Sequence, residues 1–460
     1  MIPGKNGDVS FWYQDMGGLP PLRPGLPGDI SADVCIIGAG YTGLWSAYYL
    51  KKANPALAIV LVEKEFAGFG ASGRNGGWLT GGFAWNHERY LSTGTREGIR
   101  DMIRAMAGSV SEVIRVAAEE DIDADIVETD ELMIATNNAQ LERLRDYLHH
   151  RLSWQVSEDR ARLIGAAETK ARVNMAQALG AVVIESVARI QPAKLVRGLA
   201  RAVERLGVTI YEQTAVEGFE KGSVRTKRGR VAAPIILRAT EGFTATLPGL
   251  SRDWLPLNSA QIVTEPLPQS VWDKIGWQGH EIVGDNAHAY CYAQRTREGR
   301  IAMGGRGVPY RLGSGIDDRG RADDETIRRL IALLHRHFPA TSGYAIDHAW
   351  CGVLGVPRDW CATVGLDKDS GIGWAGGYVG VGVSTSNLAG RTLADLVLGR
   401  DTDLVRLPWV NRKVRPWEPE PLRYLGVQGM YALLNEADRR EAKGGPISRL
   451  ATFGNWLSGR

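Results

Sequence analysis

Residues 34–63 read VCIIGAGYTGLWSAYYLKKANPALAIVLVE. A short apolar run, Val34 to Ile37, meets Gly38-x-Gly40-x-x-Gly43. An apolar helical stretch follows and stops at Asn54-Pro55, and a β-rich run from Ile59 to Val62 ends on Glu63. Strand, tight turn, helix, strand and acid, in that order, make a dinucleotide-binding βαβ unit. Gly38 allows the turn, Gly40 lets a pyrophosphate approach the backbone, and Gly43 lets helix and strand pack closely. The helix start offers free N–H groups and a positive dipole end to phosphate. Glu63 stands where a carboxylate accepts both hydroxyls of an adenosine ribose.

A chain of 460 residues exceeds one ordinary core, so two or more lobes are expected. Hydrophobic content of 44% and charged content of 23% are those of a globular protein. The net charge of +3 is small, and Lys and Arg are dispersed, which argues against a nucleic-acid partner. No apolar run reaches membrane-span length, and the first residues lack a basic segment followed by an apolar one, so no signal peptide is expected. Four cysteines without CxxC pairing suggest reduced thiols and a cytoplasmic location. No HExxH motif occurs, and His335 and His337 are too close in sequence to share one helical face, so no metal is assigned.

Residues 1–30, rich in Pro and Gly, read as an extended surface arm. Apolar residues at Ile99, Met102, Ile103, Met106, Val110, Val113 and Ala117 predict an amphipathic helix whose stripe is core. The stretch 191–207 predicts a helix with Pro192 in its first turn and Gly207 as its stop, followed by a strand. From about 255 to 310 the pattern is antiparallel sheet, then a helix near 323–337. Leu425, Val427, Met430, Leu433 and Leu434 predict a last helix, packed on the dinucleotide lobe.

Two further glycine clusters follow. Directly after Glu63 comes Gly68-Phe-Gly70-Ala-Ser72-Gly73-Arg74-Asn75-Gly76-Gly77-Trp78, which a nicotinamide enzyme has no need of. A large resident dinucleotide does, because the chain must run along the pyrophosphate and under a ring system where side chains would collide. Gly376-Gly377-Tyr378-Val379-Gly380-Val381-Gly382-Val383-Ser384 then leads into a helix, whose start can stabilise negative charge on a reduced flavin. Three separated glycine contacts suit FAD better than NAD.

The chain resembles the FAD-dependent amine and amino-acid oxidoreductases of the D-amino-acid oxidase fold, and most closely their gamma-glutamylputrescine oxidase branch. The resemblance rests on ADVCIIGAGYTGL at 32–44, FGASGRNGGW at 69–78, IQPAKLVRGLA at 190–200, ATEG at 239–242, GGYVGVGVSTSNLAGRTLADL at 376–396 and RPWEPEPLRYLG at 415–426. It implies an α/β protein with an α+β substrate lobe: a Rossmann-like FAD-binding domain and an antiparallel-sheet substrate domain. Expected segments are 1–90, 160–245 and 345–460 for the first, and 91–159 and 246–344 for the second. It further implies that Gly38, Gly40, Tyr41, Thr42, Gly43, Glu63, Lys64, Ala71, Ser72, Gly73, Asn75, Gly76 and Gly77 hold FAD. Val216 would touch the adenine, Thr240 would lie nearby, and Gly380, Val381, Gly382, Val383 and Ser384 would meet the pyrimidine edge.

The chain departs from relatives that clamp an α-carboxylate with an Arg after the tryptophan–glycine strand. It reads Trp350-Cys351-Gly352-Val353-Leu354-Gly355, leaving Arg74 and Arg306 as candidate anion partners. Cys351 is one place out of register for flavin attachment, so FAD is expected to be non-covalent. Ala302 stands at the place of an oxygen-activating lysine, and Gly380-Val381-Gly382 lacks the branch's histidine.

The expected chemistry is oxidation of a C–N bond of a small-molecule amine or amino-acid-like substrate. Hydride would pass to flavin N5, the imine would hydrolyse to a carbonyl, and O2 or another acceptor would take the electrons, an oxidase being the preferred reading. Tyr290, Tyr292 and Trp78 are candidates to cage the amine; Trp350 is read as core. The alternatives are an FAD dehydrogenase for a hydroxy acid, a flavoprotein of tRNA modification, or a flavin-binding structural protein.

Overall fold

The structure is a computed structural model that describes residues 3–82, 87–305, 310–316, 319–448, 451 and 454. Val34–Ile37, buried on both faces, forms an inner strand of a six-stranded sheet. The order is Thr363–Asp367, Ile372–Gly376, Ile235–Arg238, Val34–Ile37, Ile59–Val62, Thr209–Tyr211. All neighbours are parallel except the first pair. Helix Tyr41–Ala53 is apolar nearly all round because it lies between helices Pro192–Arg205 and Gly382–Val397. The packing is close: a Cβ on Gly390 would stand 2.6 Å from Cβ of Trp45.

A ten-stranded sheet faces this lobe, mostly antiparallel. Its centre is Ile346–Val356, Leu255–Thr264, Ile301–Gly305, Cys291–Arg295, Ile282–Asp285, Val127–Ala135 and Gly180–Arg189, in that order. A small sheet of Val216–Glu220, Ser223–Thr226, Gly229–Ala232 and Ile30–Ser31 flanks the dinucleotide lobe. No described helix is long and apolar enough to cross a membrane.

Several expectations are corrected here. The expected surface arm holds only for residues 16–25, which are mostly exposed and outside any helix or strand: before them Lys5–Asn6 pairs with Ile346–Val356, and Phe11, Trp12 and Tyr13 are buried. The segment boundaries also shift. Strands Ala161–Gly165, Gly180–Arg189 and Ile346–Val356 join the large sheet, whereas helix Arg96–Glu119 shares its core with Leu44 and Leu393. The chain crosses between the sheets repeatedly, and a strand's own pattern does not say which distant strand it pairs with. The last helix, Leu422–Ala442, packs Val427 and Tyr431 on Leu255, Leu257 and Val356 of the large sheet.

Candidate functional site

A cavity of about 1210 Å³ lies between the two large sheets and touches all three glycine clusters. At one end Gly38 turns with φ +101°, and a Cβ there would meet the Ala239 carbonyl at 2.7 Å. Glu63 faces this end, its Oε2 accepting from the Ala39 N–H at 2.9 Å and its Oε1 from the Glu65 N–H at 3.0 Å. Burial raises its pKa, against the pull of those two donors. Lys64, Val216 and Thr240 line the same end.

Next comes the start of helix Tyr41–Ala53. The Tyr41 N–H donates to Ser72 Oγ at 2.8 Å, which brings the second cluster onto the first. Gly40, Tyr41, Thr42, Ala71 and Ser72 all line the cavity. The carbonyls of the second cluster are drawn away by side chains from elsewhere. Tyr13 Oη donates to Gly68 O, Ser10 Oγ to Gly73 O, and Trp12 Nε1 to Asn75 O, at 2.9, 2.7 and 2.8 Å. Trp350 Nε1 and Gln261 Nε2 donate to Arg74 O, and Gln294 Nε2 donates to Gly76 O. Each is a buried polar side chain whose partner is this turn. They aim the turn's other face at the cavity, as a tight approach to a flat ligand demands.

The third cluster closes the cavity beyond it. Gly380, Val381, Gly382 and Val383 reach the wall at the start of helix Gly382–Val397. Tyr378 Oη bonds Thr42 Oγ1 at 2.8 Å, tying this turn to the first helix. Beneath it Glu241 accepts from the N–H groups of Gly377 and Tyr378, both at 3.1 Å. Burial pushes the Glu241 carboxyl up to about 7 despite these donors.

The aromatic candidates converge. Tyr290, Tyr292 and Trp78 all line the cavity, with Trp78 edge-on to Tyr292 at 6.0 Å between ring centroids. Tyr292 Oη bonds Ser259 Oγ at 3.0 Å. Asp438 of the last helix accepts from the His288 and Ala289 N–H groups, holding the loop that carries Tyr290.

Other candidates take different places. The Arg74 guanidinium is fully buried, donates to the carbonyls of Phe69 and Cys351, and lies 4.3 Å from the Phe69 ring centroid. It reaches the wall but also pins the second cluster to strand Ile346–Val356. Arg306 lies outside the described residues. Gly43, Gly73, Gly77 and Ser384 do not reach the cavity and shape the backbone behind it. A Cβ on Gly43 would come within 2.1 Å of Gly38 O, and Ser384 Oγ is spent on the Thr80 carbonyl at 2.5 Å. Trp350 and Ala302 pack in a core with Phe11 and Trp12, and Cys351 in another.

The sequence reading passed over Ser10, Trp12, Tyr13, Gln261, Gln294 and Glu241. The signal available was a glutamine, Gln261 and Gln294, inside each of two strands that are buried along most of their length. Sequence spacing also offered no metal set, yet the fold gathers Asp285, Cys291 and His337, and separately His288, Asp438 and Glu441. Within these groups Asp285 accepts from the Cys291 N–H, and Glu441 accepts from Arg143.

The three glycine contacts, the carboxylate for a ribose and two helix starts fit a large dinucleotide stretched along one cavity. Comparison with known proteins agrees. The family model described as FAD dependent oxidoreductase matches residues 33–396. A probable oxidoreductase OrdL of Rhizobium meliloti (strain 1021) is 30% identical, over 85% of this chain and 89% of the relative. The gamma-glutamylputrescine oxidoreductase of Escherichia coli (strain K12) is 29% identical, over 80% and 84%. Among solved structures, glycine oxidase from Geobacillus kaustophilus superposes with a TM-score of 0.67 at 20% identity, covering 83% of this chain and 99% of that one. The chain therefore belongs to the FAD-dependent oxidoreductase family of the D-amino-acid oxidase fold, and FAD is the cofactor its glycine-lined cavity is shaped to hold.

Proposed function

We propose that this protein oxidises the C–N bond of an amine, giving an imine that water converts to a carbonyl and a free amine. The observation that carries this is the aromatic wall of Trp78, Tyr290 and Tyr292, set beyond the flavin-type glycine contacts. Tyrosine hydroxyls can hydrogen-bond an amine nitrogen while the rings pack on its carbon chain, and the facing strand offers Gly352, Val353 and Leu354 rather than an anion clamp. The names of the relatives, gamma-glutamylputrescine oxidoreductase among them, support an amine or amino-acid-like substrate. Bound FAD, held non-covalently, supplies the two-electron acceptor for hydrogen leaving the α-carbon, and O2 or another acceptor reoxidises it.

This chain's own residues orient and shield. Tyr290 and Tyr292 hold the amine so that its α C–H points toward the glycine turns, and the enclosing sheets keep water from the reacting carbon. The substrate reacts as the neutral amine, so no side-chain base is needed. The test is anaerobic mixing of the holoenzyme with amines and with 2-hydroxy acids. Loss of flavin absorbance with amines is expected; bleaching by hydroxy acids alone would overturn the reading. Repeating it in air against a dye acceptor separates oxidase from dehydrogenase.

A further inference from the structure

Beyond the aromatic wall the cavity continues along strand Val127–Ala135 and helix Asn138–Ser153, and this extension carries charge. Glu131, only 9% exposed, lines it. Its Oε2 accepts from Thr80 Oγ1 at 3.2 Å, and it enters no ion pair among the described residues. The neighbouring cations are already engaged. Arg151 is paired with Asp159 and donates to Tyr147 Oη, and Arg143 is held by Glu441 at 2.6 Å. Glu131 and Asp159 thus share the single Arg151 cation, and burial raises the Glu131 pKa against its pull. A buried carboxylate short of positive charge is costly, and a cationic group can reach Glu131 through the cavity.

The spacing defines that partner. A Cβ on Gly284 would lie 3.3 Å from the tip of the Trp78 ring, and Gly284 pairs with Met133. Glu131 is two residues from Met133 on the same face of the strand, about 7 Å along it. The two nitrogens of an extended butane diamine are about 6 Å apart.

We propose that Glu131 is the counter-charge for a second cationic group of the substrate, so that the site takes diamines or longer polyamines with one nitrogen at the aromatic wall. This rests on the amine reading above and narrows it. Arg89, which also lines the cavity, offers the opposing choice of a far carboxylate.

Calorimetric titration of the FAD-loaded protein with 1,4-diaminobutane, 1-aminobutane and 4-aminobutanoate decides it. The diamine is expected to bind at least about tenfold more tightly than the monoamine, the range of a buried charge-assisted contact. Glu131→Gln should bring the ratio of the two Kd values to near one with FAD still bound, and Glu131→Asp should keep part of the preference. Equal binding of the two amines, an equal loss of both in Glu131→Gln, or tightest binding of 4-aminobutanoate would overturn the proposal. Glu131-dependent diamine binding without anaerobic loss of flavin absorbance would instead leave this inference standing and sink the amine-oxidation reading.

Discussion

Ser72 Oγ accepts a hydrogen bond from the Tyr41 N–H at 2.8 Å, so the second glycine cluster is docked on the helix start that the first cluster creates. On the proposed FAD placement, a pyrophosphate there would meet a hydroxyl and a helix dipole already held in place. Ser72→Ala should weaken FAD binding by about tenfold, the value of one charge-assisted hydrogen bond, with little change in fold. Fluorescence of released flavin on dilution measures this; retention equal to wild type would remove Ser72 from the cofactor site.

Tyr13 supports the same turn from behind, its hydroxyl donating to Gly68 O at 2.9 Å within a buried environment. Tyr13→Phe leaves that carbonyl without its donor and should cost about 1–3 kcal/mol. The thermal midpoint should fall, and FAD should dissociate more readily. An unchanged midpoint in both apo and FAD-loaded protein would contradict this.

Gly390 is where helix Gly382–Val397 crosses Trp45, and a side chain there would overlap the Trp45 backbone. Gly390→Ala should destabilise the protein by about 1–3 kcal/mol, as overpacking of a tight contact does. The displaced helix start should also weaken FAD binding, and urea unfolding with flavin fluorescence reads both.

Glu241 gives a pH dependence of defined sign. Its carboxyl is pushed up to about 7 by burial, above the ordinary 4.5. The folded state therefore holds a proton that the unfolded state releases. Glu241 makes its full contribution to stability below about 4.5, and that contribution is lost as pH rises through about 7. Glu241→Gln, which is uncharged throughout, should flatten the fall in thermal midpoint between pH 5 and 8. An identical pH profile in wild type and variant would show that another group is responsible.

Activity should also depend on pH through the substrate. A neutral amine is the reacting form, so kcat/KM should rise with pH toward the amine's own pKa. A profile flat from about pH 6 to 10 would count against the mechanism.

The dinucleotide unit was legible in 34–63 because strand, turn and helix are contiguous there, and their geometry is set by local sterics and periodicity. The glycines of 68–77 and 376–382 were legible as close contacts for the same reason. Ser10, Trp12 and Tyr13 were not, because their partners lie more than fifty residues away and an aromatic-rich N-terminus carries no sign of what it will cover. Arg74 looked like a ligand for an anion, and the fold uses it first to pin a turn to a strand.

By itself the sequence determined that the protein is an FAD-dependent oxidoreductase and which backbone turns and helix starts it offers as contacts. Those contacts come from backbone turns and helix starts that neighbouring residues dictate. Only the tertiary structure decided what lines the cavity beyond the glycine turns. Trp78, Tyr292 and Glu131 sit on three separate strands, and they share a cavity because non-local strand pairing puts them on one face of the large sheet.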